Sequence, residues 1–92
     1  MAHFTEKVSL REICLAGIAK YLPHYTPRDD FEILALASWH HRPPHPTEAQ
    51  IAAQVAEERR VLEMEWGENA RQNAHNRLEE MVHPTGVSVT HH

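Results

Sequence analysis

This chain of 92 residues is short of cysteine, glycine and long apolar runs: it has one Cys, three Gly, and no stretch approaching the ~20 apolar residues that cross a bilayer. A lone Cys14 excludes an internal disulfide framework and a multi-thiolate zinc site, and it fits a reducing compartment. The opening Met-Ala-His-Phe-Thr-Glu-Lys lacks the basic-then-apolar pattern of a signal peptide. The expectation is a soluble, cytoplasmic protein with no membrane association. Positive charge is also scarce, nine Lys and Arg against thirteen Asp and Glu for a net charge of −4. Such a chain lacks the clustered cations that draw a nucleic acid, and the pair Arg59 and Arg60 sits among Glu57, Glu58, Glu63 and Glu65. No phosphate loop, nucleophile elbow, His-Glu-x-x-His motif or dinucleotide fingerprint is present. The chain is therefore read as non-enzymatic, without a cofactor or a small-molecule substrate.

What is present favours helices. A hydrophobic content of 41 % suffices for a modest core in one domain, residues 1–92. Ser9 and Glu12 form a helix-start pattern, with Val8 placed to staple against Ile13, and Pro23 stops the helix that follows, giving a first helix over 10–22. Thr26-Pro27 with Asp29 and Asp30 marks a second start and a helix over 27–40. Thr47-Glu48-Ala49-Gln50 is a third, and no proline follows before Pro84, so a long third helix is expected over 48–82 and a frayed tail over 84–92. The fold class is all-α, a small bundle of three helices. Ile51, Val55, Leu62, Trp66, Ala70, Ala74 and Leu78 stand mostly four apart, which overshoots the 3.6-residue period and makes the stripe wind. Either Gly67 breaks this helix into a third and a fourth, or its two halves pack against different things. The expected core is Leu10, Ile13, Cys14, Ile18, Leu22, Phe31, Leu34, Leu36, Ile51, Val55 and Leu62.

Candidate chemistry is sparse. Nine histidines make the net charge sensitive to mild acid. His40, His41 and His45 in the proline-rich loop 39–46 are weak metal candidates, because zinc wants about four converging ligands and the prolines keep these imidazoles out of helical register. His75, Glu79 and His83 fall on one face of the expected third helix, where a solvated polar face is the simpler reading. Asp29, Asp30 and Glu32 resemble a catalytic acid pair only by type; carboxylates in a first turn stabilise the helix dipole. Cys14, among Leu10, Ile13, Gly17 and Ile18, reads as a small hydrophobe.

Binding surface is the stronger theme. The first helix projects an apolar arc of roughly 200°, and the second is apolar on nearly every side, so both ask for more cover than one amphipathic neighbour gives. Trp39, Arg42, Pro43 and Pro44 offer a pre-extended loop, and Trp66, Ala70, Arg71, Ala74 and Arg77 a polar helix with small residues for close approach. These nine are the candidate partner-binding residues. The expected function is an interaction protein, an adaptor, assembly factor or inhibitor of a larger host protein, of the kind phages encode. Its partner is that larger protein or a second copy of itself. A histidine-dependent metal-binding or pH-sensing protein and a homo-oligomeric structural protein are the alternatives.

Overall fold

The computed structural model describes residues 7–83. Two short strands and four helices follow one another: β1 (Val8–Ser9), α1 (Leu10–Tyr21), α2 (Asp30–Ala37), α3 (Glu48–Trp66), a 3-10 turn (Gly67–Asn69), α4 (Ala70–Leu78) and β2 (Met81–Val82). The protein is a small all-α bundle with a minimal antiparallel ribbon in which Val8 pairs with Val82 and Ser9 with Met81.

Local chemistry sets the helix starts. The Ser9 hydroxyl accepts the Glu12 N–H at 3.3 Å and begins α1. Thr47 and Gln50 form a reciprocal capping box at α3, with the Gln50 N–H on Thr47 Oγ1 at 3.1 Å and the Thr47 N–H on Gln50 Oε1 at 2.9 Å. The second helix begins later than its Thr26-Pro27 signal suggests. Asp29, not Thr26, is its cap, its carboxylate accepting the Glu32 N–H at 2.9 Å. The buried Glu32 holds residues 25–28 across the helix start by accepting from the Tyr25 hydroxyl and the Arg28 backbone N–H, so Pro27 lies in the loop. At the other end α2 stops at Ala37, short of the expected residue 40: Ser38 caps it, donating its hydroxyl to the Leu34 carbonyl, five residues before Pro43.

The long third segment breaks where glycine permits. Gly67 has φ of +59° and ψ of −135°, a backbone state that side-chain-bearing residues rarely adopt, and it turns α3 into α4. Both halves then pack on α2 at different points, which resolves the winding stripe: Ile51, Val55 and Leu62 from α3 and Ala70, Ala74 and Leu78 from α4 are all buried. The helix ends at Leu78 rather than near Val82, because residues 80–82 turn to pair with β1 and the Glu80 carbonyl accepts the Leu10 N–H at 2.8 Å. The expected tail over 84–92 lies outside the described residues.

α2 is the centre, with α1, α3 and α4 packed around it. One apolar cluster joins Ile18, Leu22, Ile33, Ala35, Leu36, Ile51, Val55 and Leu78, a second joins Phe31, Leu62, Ala70 and Ala74, and Leu34 packs against both. Seven of the expected core residues are fully buried. Leu10, Ile13, Cys14 and Leu34 are only half-buried, since α1 covers α2 with one edge and leaves its other apolar edge open.

The two described glycines make opposite predictions. A Cβ at either would meet nothing within 4 Å, yet only Gly67 has positive φ. Gly67→Ala is expected to lower stability by about 1–3 kcal/mol through backbone strain alone. Gly17→Ala, inside an exposed turn of α1, is expected to raise it by about 0.5–1 kcal/mol. Denaturant midpoints at constant slope measure both; equal shifts would discard the backbone explanation.

Candidate functional site

The first turn of α2 carries Asp29, Asp30 and Glu32, and each is engaged. Glu32 is 4 % exposed, a buried carboxylate that accepts from the Tyr25 hydroxyl at 2.8 Å, the Arg28 backbone N–H at 2.9 Å and Arg28 Nε at 3.1 Å. Those donors offset the several kcal/mol that an uncompensated buried charge would cost. Asp30 accepts from Arg11 at 2.6 Å, and the same guanidinium reaches Glu79 at 2.8 Å. His75 Nδ1 stands 3.5 Å from the second Asp30 oxygen. Asp29 receives Arg59 at 3.2 Å while the Arg59 guanidinium lies over the Phe31 ring, 4.8 Å from its centroid. This network ties α1, α3 and α4 to the start of α2. It also separates the expected His75–Glu79–His83 face: His75 turns to Asp30, Glu79 to Arg11, and His83 lies beyond β2.

The nine candidate partner-binding residues divide into several places. Ala70 and Ala74 are 4 % and 0 % exposed, packed with Phe31 and Leu62, so their small side chains admit α2 of the same chain and present nothing to a partner. Trp66 is half-buried against that cluster and Trp39 against the other. Arg71 is exposed beside Phe31 and His75, while Pro43 is half-buried and Pro44 exposed. His40, His41 and His45 are exposed, and among the described residues no group of three or more His, Cys, Asp or Glu is placed to hold a metal ion.

Of the nine, Arg42 is the one brought against α1 in a groove. Arg42 folds back from the loop, donates to the Trp39 carbonyl at 3.3 Å, and stacks on Tyr21 with its guanidinium 4.1 Å from the ring centroid. Tyr21 is held for this contact by its own hydroxyl, which donates to the Leu36 carbonyl at 2.6 Å. Beneath Arg42 runs a groove of about 290 Å³ lined by Ile13, Cys14, Gly17, Ile18, Tyr21 and Ala37. Its floor is the open apolar edge of α1, the remainder of the arc visible in the sequence. Burial pushes the Cys14 thiol pKa up, and Arg77 is close enough to oppose that shift. Burial likewise raises the Tyr21 pKa, with Arg42 opposing. Arg42 lines the groove at Tyr21, while Arg77 is outside its lining and is the cation whose charge acts on Cys14, seven residues and about 10 Å along the helix from Tyr21. Neither Arg42 nor Arg77 pairs with a carboxylate among the described residues, unlike Arg11, Arg28, Arg59 and Arg60.

A larger groove, about 630 Å³, lies between Tyr25, Arg28 and α3 residues Ile51, Ala52, Val55 and Arg59. Its guanidiniums are already committed, Arg28 to Glu32 and Arg59 to Asp29. A ligand there would compete with bonds that hold the fold. The smaller α1 groove, with its charges uncommitted, is the better candidate.

The network gives a pH prediction. Partial burial disfavours the Asp29 carboxylate, but the Glu32 N–H, the Arg59 guanidinium and the Phe31 N–H outweigh it and hold its pKa below the ordinary 3.8. A depressed folded pKa contributes stability above the unfolded value and loses it as pH falls through the folded one. Stability is therefore expected to fall below about pH 4. Asp29→Asn keeps a cap acceptor and should flatten that loss in acid unfolding curves; unchanged curves would remove Asp29 from the account.

Comparison with protein-family models, with curated proteins and with solved structures finds no match for this chain.

Proposed function

We propose that this is a small non-enzymatic interaction protein that docks on a larger protein through the α1 groove, acting as adaptor, assembly factor or inhibitor. The observation that carries the reading is an apolar groove floored by Ile13, Cys14, Gly17 and Tyr21 with the guanidinium of Arg42, unpaired with any carboxylate among the described residues, over it; Arg77 is the further cation whose charge acts on Cys14. An apolar floor supplies non-directional affinity, about 25 cal/mol per Å² removed from water. Guanidiniums at the rim supply register and selectivity, because a planar fork matches a carboxylate and repels a cationic partner. The occupant this chemistry fits is an amphipathic helical segment whose apolar stripe is flanked by Asp or Glu. Arg42 retains donors for such a carboxylate while its face rests on Tyr21.

The carboxylates at the start of α2 serve the fold, each engaged by an arginine. That arrangement supports a binding role over acid–base chemistry at this cluster.

A photoreactive amino acid at Ile13 in the native host tests the reading. Cross-linking to one defined protein is expected, lost when Arg42→Glu and Arg77→Glu are combined and retained when the probe carries Arg71→Glu instead. The same probe at Glu63 should capture a different set or none. Adducts indifferent to the charge of Arg42 and Arg77 would overturn the groove as the docking surface.

A further inference from the structure

We infer that the α1 groove also takes the outer face of α3 from a second copy of this chain, giving a head-to-tail association that competes with the partner. The inference rests on the docking role of the groove and names a second occupant for it.

The occupant is visible on α3. Met64 is 73 % exposed and Val61 38 % exposed, the two large apolar side chains that this helix leaves in water. They lie with Arg60 and Glu65 in a shallow depression, Met64 on the far side of α3 from Ile51, Val55 and Leu62 and Val61 on its flank. Arg60 reaches over this patch, donating to Met64 Sδ at 3.2 Å, and its charge is opposed by Glu57 at 2.7 Å, while Glu58 and Glu65 stand three residues before Val61 and four after it. The result is an apolar pair flanked by net negative charge on a regular helix. That matches the chemistry the groove asks for: side chains for the floor, and carboxylates for Arg42 and Arg77. Methionine is unbranched and adaptable, which suits it to a shallow apolar site.

Charge selects this pairing over the symmetric ones. Groove against groove would bring Arg42 and Arg77 to their own copies, and α3 against α3 would oppose Glu58 and Glu65 to theirs. Like charges face to face are unfavourable at an interface, whereas groove against α3 joins opposite signs. A contact between two different surfaces of one molecule is heterologous, so it leaves a free groove at one end and a free α3 at the other. Association then continues as chains unless a ring closes. A single-helix contact of this kind is small, below the roughly 1,200 Å² of stable complexes, so it forms at high concentration and yields to a better-fitted partner.

Light scattering from about 10 μM to about 1 mM, the range suited to so small an interface, measures the association. Wild-type mass is expected to rise past two chains and to fall back as salt is added. A groove variant, Arg42→Glu with Arg77→Glu, and a face variant, Val61→Lys with Met64→Lys, should each stay single. Mixed together they should form a complex of two chains that grows no further, since each supplies the surface the other lacks. Alkylation of Cys14 is the independent readout, because this thiol lines the groove: it should slow at least twofold across the same series in wild type and stay constant in the face variant. A wild type that remains single with a concentration-independent alkylation rate overturns the inference, as does growth undiminished in both variants. Cross-linking from position 13 that still depends on Arg42 and Arg77 would then leave partner docking standing; loss of that dependence would remove both.

Discussion

The structure depends on covering α2. Eight residues, Asp-Phe-Glu-Ile-Leu-Ala-Leu-Ala, form a helix with no polar face beyond its first turn, and Phe31, Ile33, Ala35 and Leu36 are all buried. A helix apolar all round is stable only when surrounded. No single neighbour can do that, so α1, α3 and α4 each take one sector. The break at Gly67 follows from the same demand: a straight continuation of α3 would leave α2 on one side, whereas a turn lets α4 return to it. The small side chains of Ala70 and Ala74 allow α4 to approach at close range.

Charge supports this arrangement from one end. Arg11 reaches Asp30 on α2 and Glu79 just past α4, while Arg59 reaches Asp29 from α3. Exposed ion pairs contribute little each, about 0–1 kcal/mol, but these converge on the first turn of α2, around the buried Phe31. Their contribution is orientation. The positive charges used there are unavailable for binding, which is why the cations of interest are those near the far edge of α1.

Several elements were legible because their causes are local. Ser9 and Thr47 with Gln50 act within one turn of chain, and each caps its helix as its neighbours in sequence imply, while Gly67 decides between the two readings left open for the long segment in favour of a break. The four-residue spacing from Ile51 to Leu78 likewise marks buried positions, with Trp66 half-covered. Other features depend on distant contacts. Thr26 loses the helix start to Asp29 because Glu32 is buried and recruits Tyr25 and Arg28. Residues 80–82 leave the helical state because β1 offers backbone partners from the opposite end of the chain. Alanines spaced for close approach serve an internal helix as readily as an external one, and spacing alone does not distinguish the two. The groove was half legible: the wide apolar arc of α1 is in the sequence, but the return of Arg42 onto Tyr21 is a tertiary event.

The ribbon of Val8–Ser9 with Met81–Val82 has a kinetic meaning. It joins backbone from near both ends of the chain, roughly seventy positions apart, whereas the helices and their caps close within a few residues. Loop-closure entropy opposes such a contact until the intervening chain is compact. Two residue pairs cannot hold it alone. The ribbon therefore closes on helices that have already packed, and the Leu10 to Glu80 bond ties the first residue of α1 to it.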